Sequence, residues 1–167
     1  MFGYDFDLLI MNNELNKEQA LGRAARLCSG SEHCSSQIRE KLLSWGISAE
    51  DADNIIGYLI KEKYIDDIRF SRAYSHDKFC YSHWGRVKIR QMLRHLHLTE
   101  EEIAEGLEVI PEEAYMQTIT DVLRQKNRSL HDTDAYQRKG KLIRHLLSRG
   151  YEMELAIDAV DALLRAE

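Results

Sequence analysis

One phrase occurs three times along this chain, and the repetition restricts its fold more than any other feature. It runs Ile38-Arg39-Glu40-Lys41-Leu42-Leu43-Ser44-Trp45-Gly46-Ile47, then Ile89-Arg90-Gln91-Met92-Leu93-Arg94-His95-Leu96-His97-Leu98. The third copy is Leu142-Ile143-Arg144-His145-Leu146-Leu147-Ser148-Arg149-Gly150-Tyr151. Each has an apolar start, an apolar residue four on, Gly or His eight on and an apolar residue nine on. A period of about 50 residues marks stacked units, none of which buries a core alone. Such a chain is expected to present an extended surface more readily than an enzyme cleft.

Around each phrase the apolar spacing predicts three helices. In the first unit Ala20, Leu21, Ala24 and Leu27 recur at helical intervals until Ser29-Gly30, which is expected to break the helix. Ser35 or Ser36 is placed to cap the second helix, with Ile38, Leu42 and Trp45 on its inner face, and Gly46 suits a left-handed end because it has no Cβ. Ser48 caps the third, whose buried stripe is Ile55, Ile56, Leu59 and Ile60. The second unit opens at the acidic pair Asp66-Asp67, which suits a helix start, with Phe70, Ala73 and Tyr74 facing inward. Tyr81–Gly85 is its turn, and Thr99 with Glu102 forms a capping box. The third unit opens at Pro111, whose fixed φ suits a first helical turn; Tyr115, Ile119, Val122 and Leu123 form its stripe. Nine helices and no strand are expected. The architecture is all-α: three tandem three-helix repeats in an elongated, curved array. Repeat 1 is placed at 16–65, repeat 2 at 66–110 and repeat 3 at 111–167, after a tail or short docking segment at 1–15.

Hydrophobic residues make up 44% of the chain and charged residues 31%, which places it among globular proteins and excludes disorder. Residues 1–13 are interrupted by Asp5 and Asp7, so they are expected to be neither a signal nor an anchor. Three cysteines without framework spacing suit a reducing cytosol. The net charge of −5 conceals blocks of opposite sign. Residues 69–98 carry a surplus of six positive charges, residues 99–119 hold seven glutamates and no cation, and residues 120–150 carry five positive charges in excess. These blocks determine where an anionic partner would lie.

The sequence resembles the RecX family, the regulatory proteins of the bacterial RecA recombinase. Three signatures carry the resemblance: Ser36-Gln37-Ile38-Arg39-Glu40-Lys41-Leu42 leading to Gly46-Ile47, then Tyr64-Ile65-Asp66-Asp67-Ile68-Arg69-Phe70, then Gly85-Arg86-Val87-Lys88-Ile89-Arg90-Gln91-Met92-Leu93. The resemblance covers roughly residues 18–165. The resemblance implies tandem three-helix repeats and a protein that binds RecA filaments and modulates, usually inhibits, recombinase activity. It implies neither a catalytic residue nor a cofactor, and single-stranded DNA within the filament is a further expected contact. A cytoplasmic monomer without membrane attachment is expected. His97 departs from the pattern, since it stands where the phrase otherwise has Gly.

With ~100° per residue, Arg86, Arg90 and Arg94 fall on one stripe of their helix, while Ile89, Met92, Leu93 and Leu96 face elsewhere. The third repeat divides in the same way, with Arg138, Lys141, His145 and Arg149 on one stripe. The expected partner-binding strip is therefore Arg86, Arg90, Arg94, Arg138, Lys141 and Arg149, supported by Arg69, Arg72 and Lys88. Ordinary solvated faces are the other reading of these stripes. A DNA-binding module of tandem three-helix units, acting on nucleic acid directly, is the alternative function. Tyr64, Phe70 and Tyr74 suit core packing better than base stacking. His76, Cys80 and His83, or Cys28, His33 and Cys34, lack four ligands at a zinc spacing, so no metal is expected. There is no Gly-rich phosphate loop, nucleophile elbow or HExxH motif.

Overall fold

The computed structural model describes residues 15–131 and 134–166. Residues 1–14 of the tail or docking segment expected at 1–15 lie outside the described residues. Among the described residues there are nine helices and no strand: α1 Lys17–Gly30, α2 Ser35–Ser44, α3 Ala49–Lys61, α4 Asp67–Ser82, α5 Arg86–His95, α6 Glu100–Leu107, α7 Glu112–Arg128, α8 Ala135–Ser148 and α9 Met153–Arg165. The chain divides into two compact units, one closing at Phe70 and the other opening at Ser71, so the boundary falls inside α4. Repeats 2 and 3 share the second unit.

In the first unit, Ala20 and Ala24 are wholly buried, and their small side chains let α1 close over Ile38, Leu42, Ile55, Leu59 and Ile65. A reciprocal cap starts α1: the Asn16 side chain accepts the Gln19 backbone N–H at 2.8 Å, and the Gln19 side chain accepts the Asn16 N–H. The helix ends at Gly30, at the break expected at Ser29-Gly30, with the Ser29 hydroxyl bonded back to the Ala25 carbonyl. Neither Ser35 nor Ser36 caps α2. Cys34 holds the cap position, and its N–H donates to the Gln37 side chain at 3.2 Å. Ser35, the first helical residue, gives both its N–H and its hydroxyl to the Asp67 carboxylate, at 2.8 and 2.6 Å. Asp66 is the member of the acidic pair that caps its own helix, accepting the Arg69 N–H at 2.9 Å. Ile60, expected to be buried, is 48% exposed at the edge of a stripe centred on Ile55 and Leu59.

The repeated phrase makes the same turn three times. Gly46, His97 and Gly150 have φ of 84°, 62° and 85°. The next residue's N–H reaches back five positions in each copy: Ile47 to Leu42, Leu98 to Leu93 and Tyr151 to Leu146, at 3.1 to 3.2 Å. This closes the last helical carbonyls without water. His97 adopts the left-handed conformation without glycine's freedom, at a cost of about 1 kcal/mol.

In the second unit the buried face of α4 is Ser71, Ser75 and Phe79, whereas Ala73 and Tyr74 are only half-buried. The small Ser71 admits the backbone of α6, since a methyl group at Gly106 would collide with its hydroxyl. Pro111 stands one position before the first turn of α7, as its N-cap in extended conformation. Tyr115, Ile119, Val122 and Leu123 are buried as their spacing predicts.

Candidate partner-binding surface

Repeats 2 and 3 are joined through their backbones. The N–H of Gly85, at the start of α5, donates to the Arg149 carbonyl at 2.8 Å, and the N–H of Val87 donates to the Gly150 carbonyl at 3.0 Å. Neither glycine has room for a side chain, because a methyl at Gly85 would meet the Gly150 carbonyl and one at Gly150 would meet Lys88. Beneath this contact Phe79, Tyr115 and Tyr151 pack ring against ring, with centroids 5.9 and 5.4 Å apart. The Tyr151 hydroxyl donates to the His83 carbonyl at 2.9 Å, and burial pushes that phenol up to about 12. The start of α5 thus meets the end of α8, and with it the two expected basic stripes.

Arg86 and Arg149 belong to this junction. The Arg86 guanidinium lies 4.0 Å from the centre of the Tyr115 ring and donates to the Ile110 carbonyl and the Glu112 carboxylate, the latter at 2.8 Å. Its side chain is only 24% exposed. Arg149 donates to the Ser82 carbonyl at 3.0 Å. Both positively charged groups are held by groups of their own fold.

Arg90 and Arg94 face outward and share one carboxylate. Glu100, in the first turn of α6, accepts from Arg90 at 3.0 Å and from Arg94 at 2.6 Å. The hydrogen bond from Arg94 holds the Glu100 carboxyl below its ordinary range. Exposed pairs of this kind contribute little to stability, so a partner's anion can exchange with Glu100 at little cost. On α8, the Arg138 side chain donates to Asn127 at 2.8 Å, Lys139 pairs with Asp161, and Lys141 and Arg144 stand on the exposed side. His145 on the same helix is held below its ordinary range by burial and by Arg149 and Lys126.

The supporting residues are dispersed. Arg69 lies in the first unit, donating to Glu32 at 2.6 Å and to the carbonyls of Lys63 and Tyr64. Arg72, in the second unit, pairs with Glu105. The Lys88 ammonium sits 4.4 Å from the centre of the Trp84 indole. Sequence periodicity did not single out Trp84, because it lies in a turn and outside every helical stripe.

Among the described residues, no three His, Cys, Asp or Glu side chains converge as metal ligands would, and no helix is long and apolar enough to cross a membrane. Cys28, Cys34 and Cys80 are free thiols, and burial raises the first two above the ordinary range.

Models of the first, second and third three-helix domains of RecX match residues 20–59, 66–107 and 112–160 in that order. The regulatory protein RecX of Clostridium tetani is 26% identical over 96% of this chain and 74% of its own length. The regulatory protein RecX of Leuconostoc mesenteroides is 24% identical over 87% of the chain, which spans only 55% of that relative. The crystal structure of RecX from Lactobacillus salivarius superposes with a TM-score of 0.78 at 19% identity, covering 90% of this chain and 97% of the other.

Proposed function

This chain belongs to the RecX family, and from that membership we propose that it binds RecA recombinase filaments and restrains their activity in DNA repair, recombination and the SOS response. The observation that carries the reading is the ordered run of all three family domains across residues 20–160. Relatives named as regulatory proteins support a role without chemistry of its own. In this reading the protein acts in the cytoplasm as a monomer of three repeats, at 16–65, 66–110 and 111–167, and meets the single-stranded DNA held within the filament.

The contact strip is Arg86, Arg90, Arg94, Arg138, Lys141 and Arg149, with unequal shares. Arg90 and Arg94, whose shared pair with Glu100 is exposed, and the outward Lys141 contact the partner. Arg86 and Arg149 hold the two helices in place.

The test measures single-stranded-DNA-dependent RecA ATPase and strand exchange while the protein is titrated. Both rates should fall, and rates unchanged at saturating protein would overturn the reading. Inhibition far below one protein per recombinase subunit points to filament ends, whereas stoichiometric inhibition points to coating along the filament. Charge reversal of Arg90 and Arg94 together, with Arg86 left intact, should weaken inhibition by about tenfold or more while helicity stays constant.

A further inference from the structure

In the second unit, two lysines and two aromatic rings alternate across the α4–α5 turn. The Lys78 ammonium lies 5.3 Å from the centre of the Tyr74 ring and 4.9 Å from that of Trp84, and the Lys88 ammonium lies 4.4 Å from Trp84. Two positive charges therefore sit within 5 Å of one indole. Each gains from the electron-rich ring face, while the pair repels itself. Among the described residues neither lysine pairs with a carboxylate, whereas Arg72, Arg86, Arg90 and Arg94 all do. Much of the positive surplus of residues 69–98 is thus neutralised within the fold, and these two ammonium groups are not. Tyr81, at the end of α4, leaves its ring 78% exposed, steadied by an edge contact with His76 at 6.4 Å.

We infer that Tyr74, Lys78, Trp84 and Lys88, with Tyr81 three residues along the chain from both Lys78 and Trp84, form a binding site for single-stranded polynucleotide. Lys78 and Lys88 take a phosphodiester, which relieves their mutual repulsion next to a half-buried indole. Tyr81 offers a flat, solvent-facing ring on which one unpaired base stacks. An acidic peptide would satisfy the lysines and leave Tyr81 without a role, so the nucleic acid is the better fit. This site acts without a recombinase, so its test and that of filament binding fail separately.

The experiment uses the full chain, no recombinase and a fluorescein-labelled oligothymidylate, with anisotropy read across a salt series. Wild type should bind, with affinity falling steeply as salt rises. Lys78→Gln with Lys88→Gln should weaken binding by about tenfold and flatten the log–log salt slope by about 1.4, the expectation for two phosphate contacts on a single strand. Tyr81→Ala should weaken binding by about fivefold or more with the slope unchanged. Lys78→Arg with Lys88→Arg, which keeps both charges, should retain binding even if the glutamine pair disturbs folding. Absence of binding by wild type at low salt, or the same affinity and slope in the glutamine pair, overturns the inference. So does displacement of the oligonucleotide by polyglutamate at equal charge, which would make the site one for acidic protein.

Discussion

The Tyr115 hydroxyl donates to the Glu152 carboxylate at 2.7 Å and accepts the backbone N–H of Arg86 at 3.0 Å. One phenol on α7 thereby links the start of α5 to the start of α9. Burial and the carboxylate raise its pKa far above the ordinary phenol value, so near neutral pH the group is a neutral hydroxyl. The same ring carries the Arg86 guanidinium on its face, so Tyr115 joins repeats 2 and 3 by both polar and aromatic contacts.

Replacing Tyr115 with Phe keeps the ring and removes the hydroxyl. The Arg86 N–H and the Glu152 carboxylate each lose a part-buried partner, which should cost about 2 kcal/mol. For a chain of this size that corresponds to a melting temperature lower by roughly 4–8 °C. Calorimetry of the two proteins checks it, and equal melting temperatures would show that the hydroxyl does not hold the junction.

Alanine substitutions at two glycines should have opposite effects. Gly57 lies on an open face of α3, where an added methyl meets nothing within 4 Å, so Gly57→Ala should stabilise by about 0.5–1 kcal/mol. Gly85→Ala forces its methyl into the Gly150 carbonyl and should destabilise by about 3 kcal/mol or more. Urea midpoints distinguish the two, and stabilisation in both would contradict the close approach of α5 to α8.

Asp67 ties the first turn of α2 through Ser35. Asp67→Ala should cost about 1–2 kcal/mol, as for loss of a helix cap. A double-mutant cycle with Ser35→Ala should recover a coupling of about 1 kcal/mol, because it isolates the bond from the Ser35 hydroxyl to the Asp67 carboxylate, the Ser35 N–H being present in both backgrounds. Zero coupling would show that the two side chains act independently.

His145 should make stability sensitive to mild acid. Its folded-state affinity for a proton is below that of the unfolded chain, which titrates near pH ~6.5. As pH falls below that value, the unfolded state takes up a proton before the folded state does, so stability falls. Above it, neither state is protonated and the contribution is fully present. His145→Gln should flatten the decline as pH falls through about 6.5 in a series of urea midpoints.

Much of the fold was legible because each repeat carries both its packing code and its stop signal. Ile38, Ile89 and Leu142 with the residues four positions on are buried as read, and the left-handed turn recurs even at His97. The inner face of α4 was legible only at Phe70, which is buried as read; Ser71 and Ser75, which hydropathy assigns to the surface, are buried in place of Ala73 and Tyr74. The burial of Ser71 depends on Gly106, over 30 residues away. Asp67 was read as a cap, yet the helix it caps is α2 and not its own, a partnership that local spacing does not encode. The basic stripes were visible, but the carboxylates that satisfy Arg86, Arg90 and Arg94 come from α6 and α7. Charge counted along the sequence therefore overstated the charge presented to a partner, and Trp84, which gathers two unneutralised lysines, went unnoticed in its turn.

The backbone splice between Gly85–Val87 and Arg149–Gly150 also limits how such a chain can change in length over evolution. A self-sufficient repeat is gained or lost by a single duplication or deletion. Deleting repeat 3 here would strand the Gly85 and Val87 amides and uncover Phe79. Inserting a copy between repeats 2 and 3 would require two new side-chain-free positions to appear at once, facing each other. The number of repeats is thus constrained by how two of them fit together, independently of what the protein binds.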